Sequence, residues 1–107
     1  MSVFYTEIFG EDYAEVLSVR KNGTDILVRN YRISLTAFEH AIVSLLADKC
    51  EWVSKEQIAA LLCNGKPIRS SSIPTHVSNI NKKVSMMIGR KLIEGNRSGE
   101  YRVSHNA

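Results

Sequence analysis

The sequence predicts an α+β domain with an N-terminal antiparallel β-sheet, a three-helix core and a C-terminal β-hairpin. Three observations carry this. β-branched and aromatic runs, broken by turn residues, fill the first third of the chain. Apolar residues then recur about every 3.6 positions through the middle. Near the end, two short apolar runs flank a glycine-bounded tip. With 107 residues and 44% hydrophobic content, the chain suits a single domain with one modest core. The boundaries expected are 1–35 for the sheet, 36–88 for the helices and 89–104 for the hairpin.

The sheet reads as a meander of up to four strands. Val3–Phe9 is the first, and Gly10-Glu11-Asp12 breaks it. Ala14–Val19 follows, then Asn22-Gly23, the strongest two-residue hairpin signal, then Thr24–Val28. Arg29-Asn30 is a second turn before Tyr31–Leu35. So small a sheet must bury one face against something else.

Thr36-Ala37-Phe38-Glu39 has the form of a capping box and opens a helix of about 36–48. Phe38, Ala41, Ile42, Leu45 and Leu46 form its expected buried stripe. His40 falls between those positions and reads as a boundary residue. Cys50-Glu51-Trp52-Val53 is a short extended connector, with Trp52 as a core plug. Ser54-Lys55-Glu56-Gln57 is a second capping box, opening a helix of about 54–63 that buries Ile58, Leu61 and Leu62. Asn64-Gly65 ends it, and a loop runs to Ser71.

The third helix organises the rest, beginning within Ser70–Lys83. Ile73, Val77, Ile80 and Val84 share one face. Ser70, Ser71 and Ser72 offer N-cap oxygens, and Pro74 falls in the first turn, where a missing N–H does no harm. The helix N-terminus would favour a nearby phosphate. Away from the apolar stripe lie Thr75, Ser78, Asn79 and Lys82, flanked by His76, Lys83 and Asn81, with no carboxylate among them. Hydroxyls, amides and ammoniums are the groups that hydrogen-bond base edges and phosphate oxygens. Arg90–Glu94 and Glu100–Val103 then flank Gly95-Asn96-Arg97-Ser98-Gly99. Helix, helix, loop, helix and hairpin is the order of a winged helix-turn-helix.

Charge is divided along the chain. Residues 66–107 hold eight basic and two acidic side chains, a net of +6, whereas residues 1–65 hold six basic and nine acidic, a net of −3. A basic C-terminal half suggests a polyanion-binding face. Cys50 and Cys63 are isolated and read as reduced, partly buried thiols. No zinc spacing, paired carboxylates, Ser/His/Asp set or Gly-rich phosphate loop appears, so neither an enzyme nor a metal or cofactor is expected. No run approaches the roughly 18 apolar residues of a membrane span, and no signal-peptide pattern opens the chain.

At this point the chain resembles the OmpR/PhoB-type winged-helix DNA-binding (effector) domain of bacterial transcription regulators. The residues that carry the resemblance are Leu35-Thr36-x-x-Glu39, Val53-Ser54-Lys-Glu-Gln-Ile58, Ile73-x-x-His76-Val77-Ser78-x-Ile80-x-Lys82-Lys83 and Arg97-x-Gly99-x-Tyr101-Arg102. The match runs over about residues 31–104. It implies a sequence-specific transcription regulator that binds double-stranded DNA, with the third helix in the major groove and the wing in the minor groove. It also implies RNA polymerase contact through the Asn64–Ser71 loop, a homodimer on tandem half-sites, and a bacterial cytoplasmic, nucleoid-associated location. The DNA-contacting residues expected are Ser72, Thr75, His76, Ser78, Asn79, Asn81, Lys82, Lys83, Arg97 and Tyr101.

The family's recognition helix is usually arginine-rich. Ser78, Asn79 and Asn81 hold the matching positions here, and asparagine suits adenine, which points to A·T-rich sites. Glu100 replaces the second glycine of the family's wing. No receiver domain precedes the domain in this chain, which is expected to act alone or as one piece of a longer regulator, such as a membrane-tethered one. The competing reading is a winged-helix protein-interaction module, because a fold does not fix a function.

Overall fold

The structure is a computed structural model describing residues 17–19, 23–29, 31–63 and 68–103. The strand expected at Val3–Phe9, the break after it, the start of the second strand, Asn22, Asn30 and the 64–67 part of the loop lie outside the described residues.

The first sheet is β1 (Leu17–Val19), β2 (Asp25–Val28) and β3 (Tyr31–Ser34), antiparallel and in that order. Alternation decides its buried face. Val19 faces Ile26, and Ile26 faces Ile33, so one cross-strand row is apolar. Leu17 and Val28 form the next pair, and all five side chains are buried. After β2, Arg29 takes a left-handed φ of 52°.

Three helices follow, the first packing against β1 and the third against β3. α1 (Ala37–Lys49) and α2 (Lys55–Leu61) each open on a complete capping box. Thr36 Oγ1 accepts from the Glu39 N–H at 3.2 Å, and the Thr36 N–H donates back to Glu39 Oε1 at 2.9 Å. Ser54 and Gln57 repeat the arrangement at 3.0 and 3.2 Å. Each box satisfies two N–H groups that a helix start leaves without partners.

The third helix, α3 (Ile73–Ile88), follows a 3₁₀ turn at Ser70–Ser72. The expected serine cap does not form. Ser72 Oγ instead donates to the Arg69 carbonyl at 2.8 Å, and no side chain caps the helix. Pro74 does sit in the first turn. Gly89, at φ 79°, ends α3 in the left-handed conformation that glycine adopts without steric cost. Ile73, Val77, Ile80 and Val84 are all buried, as their spacing predicts.

The second sheet has the order β4-β6-β5: β4 (Val53–Ser54), β6 (Glu100–Val103) and β5 (Ile93–Gly95). The hairpin thus gains a third strand from the connector between α1 and α2. Val53 pairs with Tyr101, and the Lys55 N–H reaches the Gly99 carbonyl at 3.2 Å. This pairing overturns the expected role of Trp52. Its ring lies half-exposed beside β6, and the Arg102 guanidinium covers it at 4.4 Å.

Three further expectations need correcting. The buried stripe of α1 centres on Ile42, Val43, Leu46 and Ala47, with Phe38 and Leu45 only partly covered. β1, β6 and α3 all pack against α1, which widens its buried arc. Leu61 is 55% exposed, because α2 ends there and its neighbours cover only the Ile58 and Ala59 side. Cys50 is exposed rather than partly buried, since it occupies the left-handed C-cap of α1, where its N–H bonds the Leu46 carbonyl. Both cysteines are free.

Candidate nucleic-acid interface

The sequence of α3 divides it into two faces. The residues of its apolar stripe carry it onto the core, which leaves Thr75, Ser78, Asn79 and Lys82 exposed on the other side. These four fall at i, i+3, i+4 and i+7. Met86, 79% exposed, continues the same row one turn further. From Thr75 to Met86 the row spans about 16 Å at the helical rise per residue. α3 contains no Asp or Glu, so this face carries no fixed negative charge.

The hairpin tip supplies a second exposed group. Asn96 Oδ1 accepts from the N–H groups of Ser98 and Glu100 at 2.9 and 3.0 Å, and Asn96 Nδ2 donates to Glu100 Oε1 at 2.9 Å. This side-chain turn shapes the tip. Glu100 serves here as a partner for Asn96. Gly99 turns the chain at φ 78°. Arg97 is exposed at the point of the turn. Arg69 and Lys91, two cations of the basic C-terminal half, are exposed before and after α3.

Not every expected contact residue faces outward. Asn81 Oδ1 accepts from the Leu92 and Ile93 N–H groups at 3.0 and 2.8 Å, and Asn81 Nδ2 donates to the Ile93 carbonyl at 2.9 Å. Both polar atoms of its amide are engaged, so a contact to a base would cost these bonds. Lys83 is similarly committed. Its ammonium lies 2.6 Å from Glu39 Oε1, the capping-box carboxylate of α1. Glu39 is only 3% exposed. Burial raises its pKa, but the Lys83 hydrogen bond and the Thr36 N–H outweigh that and hold it below the usual carboxylate value. The ring of His76 packs edge-on against Phe38, with centroids 4.6 Å apart.

Tyr101 sits in the middle of the wing sheet, opposite Gly95 and half-buried. A Cβ on Gly95 would lie 3.2 Å from its ring, so the glycine makes room for the tyrosine. Arg102 pairs with Glu94 across the strands at 2.8 Å. The groups left outward are thus Thr75, Ser78, Asn79 and Lys82 on the helix and Arg97 on the wing, with half-exposed Ser72 beside them. Sequence reasoning missed the inward roles of Asn81 and Lys83. Their partners lie 12 and 44 positions away, beyond any local pattern.

No protein-family model and no curated protein matches the sequence. Solved structures do match. The DNA-binding domain of the response regulator AdeR, determined in complex with an intercistronic region, superposes with a TM-score of 0.70 at 17% identity. That match covers 85% of this chain and 95% of the AdeR chain. The C-terminal domain of the nisin resistance regulator NsrR, a lantibiotic response regulator, gives a TM-score of 0.65 at 22% identity, covering 81% and 89% of the two chains. A RitR mutant gives 0.74 at 11% identity, covering 96% of this chain but 47% of the RitR chain. The chain therefore carries the winged-helix fold seen in the DNA-binding domains of response regulators.

Proposed function

We propose that this chain binds double-stranded DNA in a sequence-specific way and regulates transcription, with α3 in the major groove and the wing tip at the adjacent minor groove. The observation that carries this reading is the outward row of Thr75, Ser78, Asn79 and Lys82, free of carboxylates and accompanied by an exposed Arg97. Asn79, in the middle of the row, suits the N6 and N7 edge of adenine. Lys82, one turn on, suits a phosphate. Arg97 offers a planar guanidinium to a narrow, A·T-rich minor groove. The bound intercistronic region of the AdeR domain supports the same reading.

On this reading the protein works in the bacterial cytoplasm at the nucleoid. Head-to-tail protomers occupy direct repeats about 10–11 base pairs apart. The loop that ends at Ser71 is available to RNA polymerase. No helix among the described residues is long and apolar enough to cross a membrane.

Selection from a random duplex pool, followed by gel shifts at two salt concentrations, tests the proposal. Enrichment of an A·T-rich motif, bound more weakly at the higher salt, is the expected result. Failure to enrich any motif would sink it.

A further inference from the structure

We propose that Asn81 is a positioning residue that locks the wing to α3, so that helix and wing meet DNA as one unit. This rests on the DNA-binding reading above. In the order β4-β6-β5, β5 has a strand neighbour on one side only among the described residues. Backbone groups on its other edge need partners from elsewhere. Ile93 is 1% exposed and Leu92 is 1% exposed, so water does not supply them.

The amide of Asn81 does. Its oxygen takes the Ile93 N–H and its nitrogen reaches the Ile93 carbonyl. A partner residue in an antiparallel ladder would make the same two bonds. The side chain therefore stands in for one residue of a missing strand. The third bond, from the Leu92 N–H, fixes the residue before β5 as well.

The placement of Asn81 in α3 gives this lock its consequence. Ile80 beside it is fully buried, while Asn79 and Lys82 on either side of the pair are exposed. Asn81 thus lies where the core face of α3 meets its outward face. A shift of the wing against α3 would have to break all three bonds together. Among the described residues the other strand and backbone hydrogen bonds of the wing, Val53 to Tyr101 and the Lys55 N–H to Gly99, hold it to the start of α2, and β6 packs against α1; β5 also packs on α3, where Asn81 adds the directional bonds. The angle between α3 and the Arg97 tip is set at Asn81. Two weak contacts then act as one, because the second is made without a further loss of freedom.

The test uses the full chain with Asn81→Ala, Arg97→Ala and the double variant, on a duplex selected with the wild type. Amide exchange at Leu92 and Ile93 should quicken about tenfold or more in Asn81→Ala, while the amides of Val77 and Val84 keep their rates. Arg97→Ala should weaken wild-type binding by about fivefold to thirtyfold. In the Asn81→Ala background the same change should cost under about twofold, since a loosened wing no longer delivers its arginine. Base preference at the position read by Asn79 should persist. Asn81→Asp keeps the two accepted bonds and loses the donor, and it replaces Asn81→Ala if that variant fails to fold.

An equal cost of Arg97→Ala in both backgrounds would overturn the lock, as would unchanged exchange at Leu92 and Ile93. A wild type that binds no selected duplex instead sinks the DNA reading. The exchange rates then decide by themselves whether Asn81 holds the wing.

Discussion

Neighbouring residues on α3 have opposite duties, and their surroundings assign them. Asn79 and Lys82 are exposed, whereas Asn81 and Lys83 are tied to β5 and α1. The first pair should separate in binding assays. Asn79→Ala should relax base preference at one position by about 1–3 kcal/mol. Lys82→Ala should weaken all duplexes alike. Equal loss of discrimination in the two variants would show that the roles are misassigned. Lys83 should instead register in stability. Lys83→Met leaves the buried Glu39 carboxylate without its cation, at a cost of about 1–2 kcal/mol near pH 7. That range is discounted because the Lys83 side chain is 38% exposed. The pH dependence follows from a depressed pKa. The stabilisation is complete above the ordinary carboxylate value of 4.5 and is lost as pH falls through the lower folded value. Denaturant melts of wild type and Lys83→Met should therefore converge in acid. A gap unchanged at pH 3 would show that the pair contributes no titratable stability.

At the scale of elements, the capping box of α1 links local structure to tertiary packing. Glu39 Oε1 accepts both the Thr36 N–H and the Lys83 ammonium, so one carboxylate starts α1 and anchors α3. Thr36→Ala should cost about 1 kcal/mol, the usual loss for an N-cap. Combined with Lys83→Met, the cost should depart from the sum, because both changes act on Glu39: the first frees its N–H and the second its carboxylate. Strict additivity in thermal melts would show that cap and ion pair are independent. Such links explain what could be read in the sequence. Both capping boxes and the stripe of α3 were legible because each is set by residues three or four apart. β4 was not, because two residues, Val53 and Ser54, carry no period. Trp52 was misread because its setting is fixed by β6, some fifty positions later. The outward row of the site was legible for the same reason as the stripe it mirrors. The inward turn of Asn81 depends on a sheet edge that exists only after folding.

For the whole molecule, the charge that matters is what remains after internal pairing. The sequence places eight cations in residues 66–107, an upper bound on the phosphate contacts of that half. Folding reduces that supply. Lys83 is held by Glu39, and Arg102 by Glu94 and the Trp52 ring. Among the described residues, the exposed cations around α3 and the wing are Arg69, Lys82, Lys91 and Arg97. Each phosphate neutralised releases condensed counterions, so the number of contacts sets how steeply affinity falls with salt. Four contacts give a slope of about −3 to −4 for log K against log salt on duplex DNA. The measurement is a titration of one selected duplex between about 50 and 200 mM salt. A flat line would exclude phosphate contact and with it the DNA reading. A slope of about −5 to −6 would mean that Lys83 and Arg102 leave their carboxylates for the backbone. The two cases separate in Lys83→Met and Arg102→Met, which should leave the slope unchanged if the folded pairs persist on DNA. Lys82→Ala and Arg97→Ala should each make it shallower by about 1.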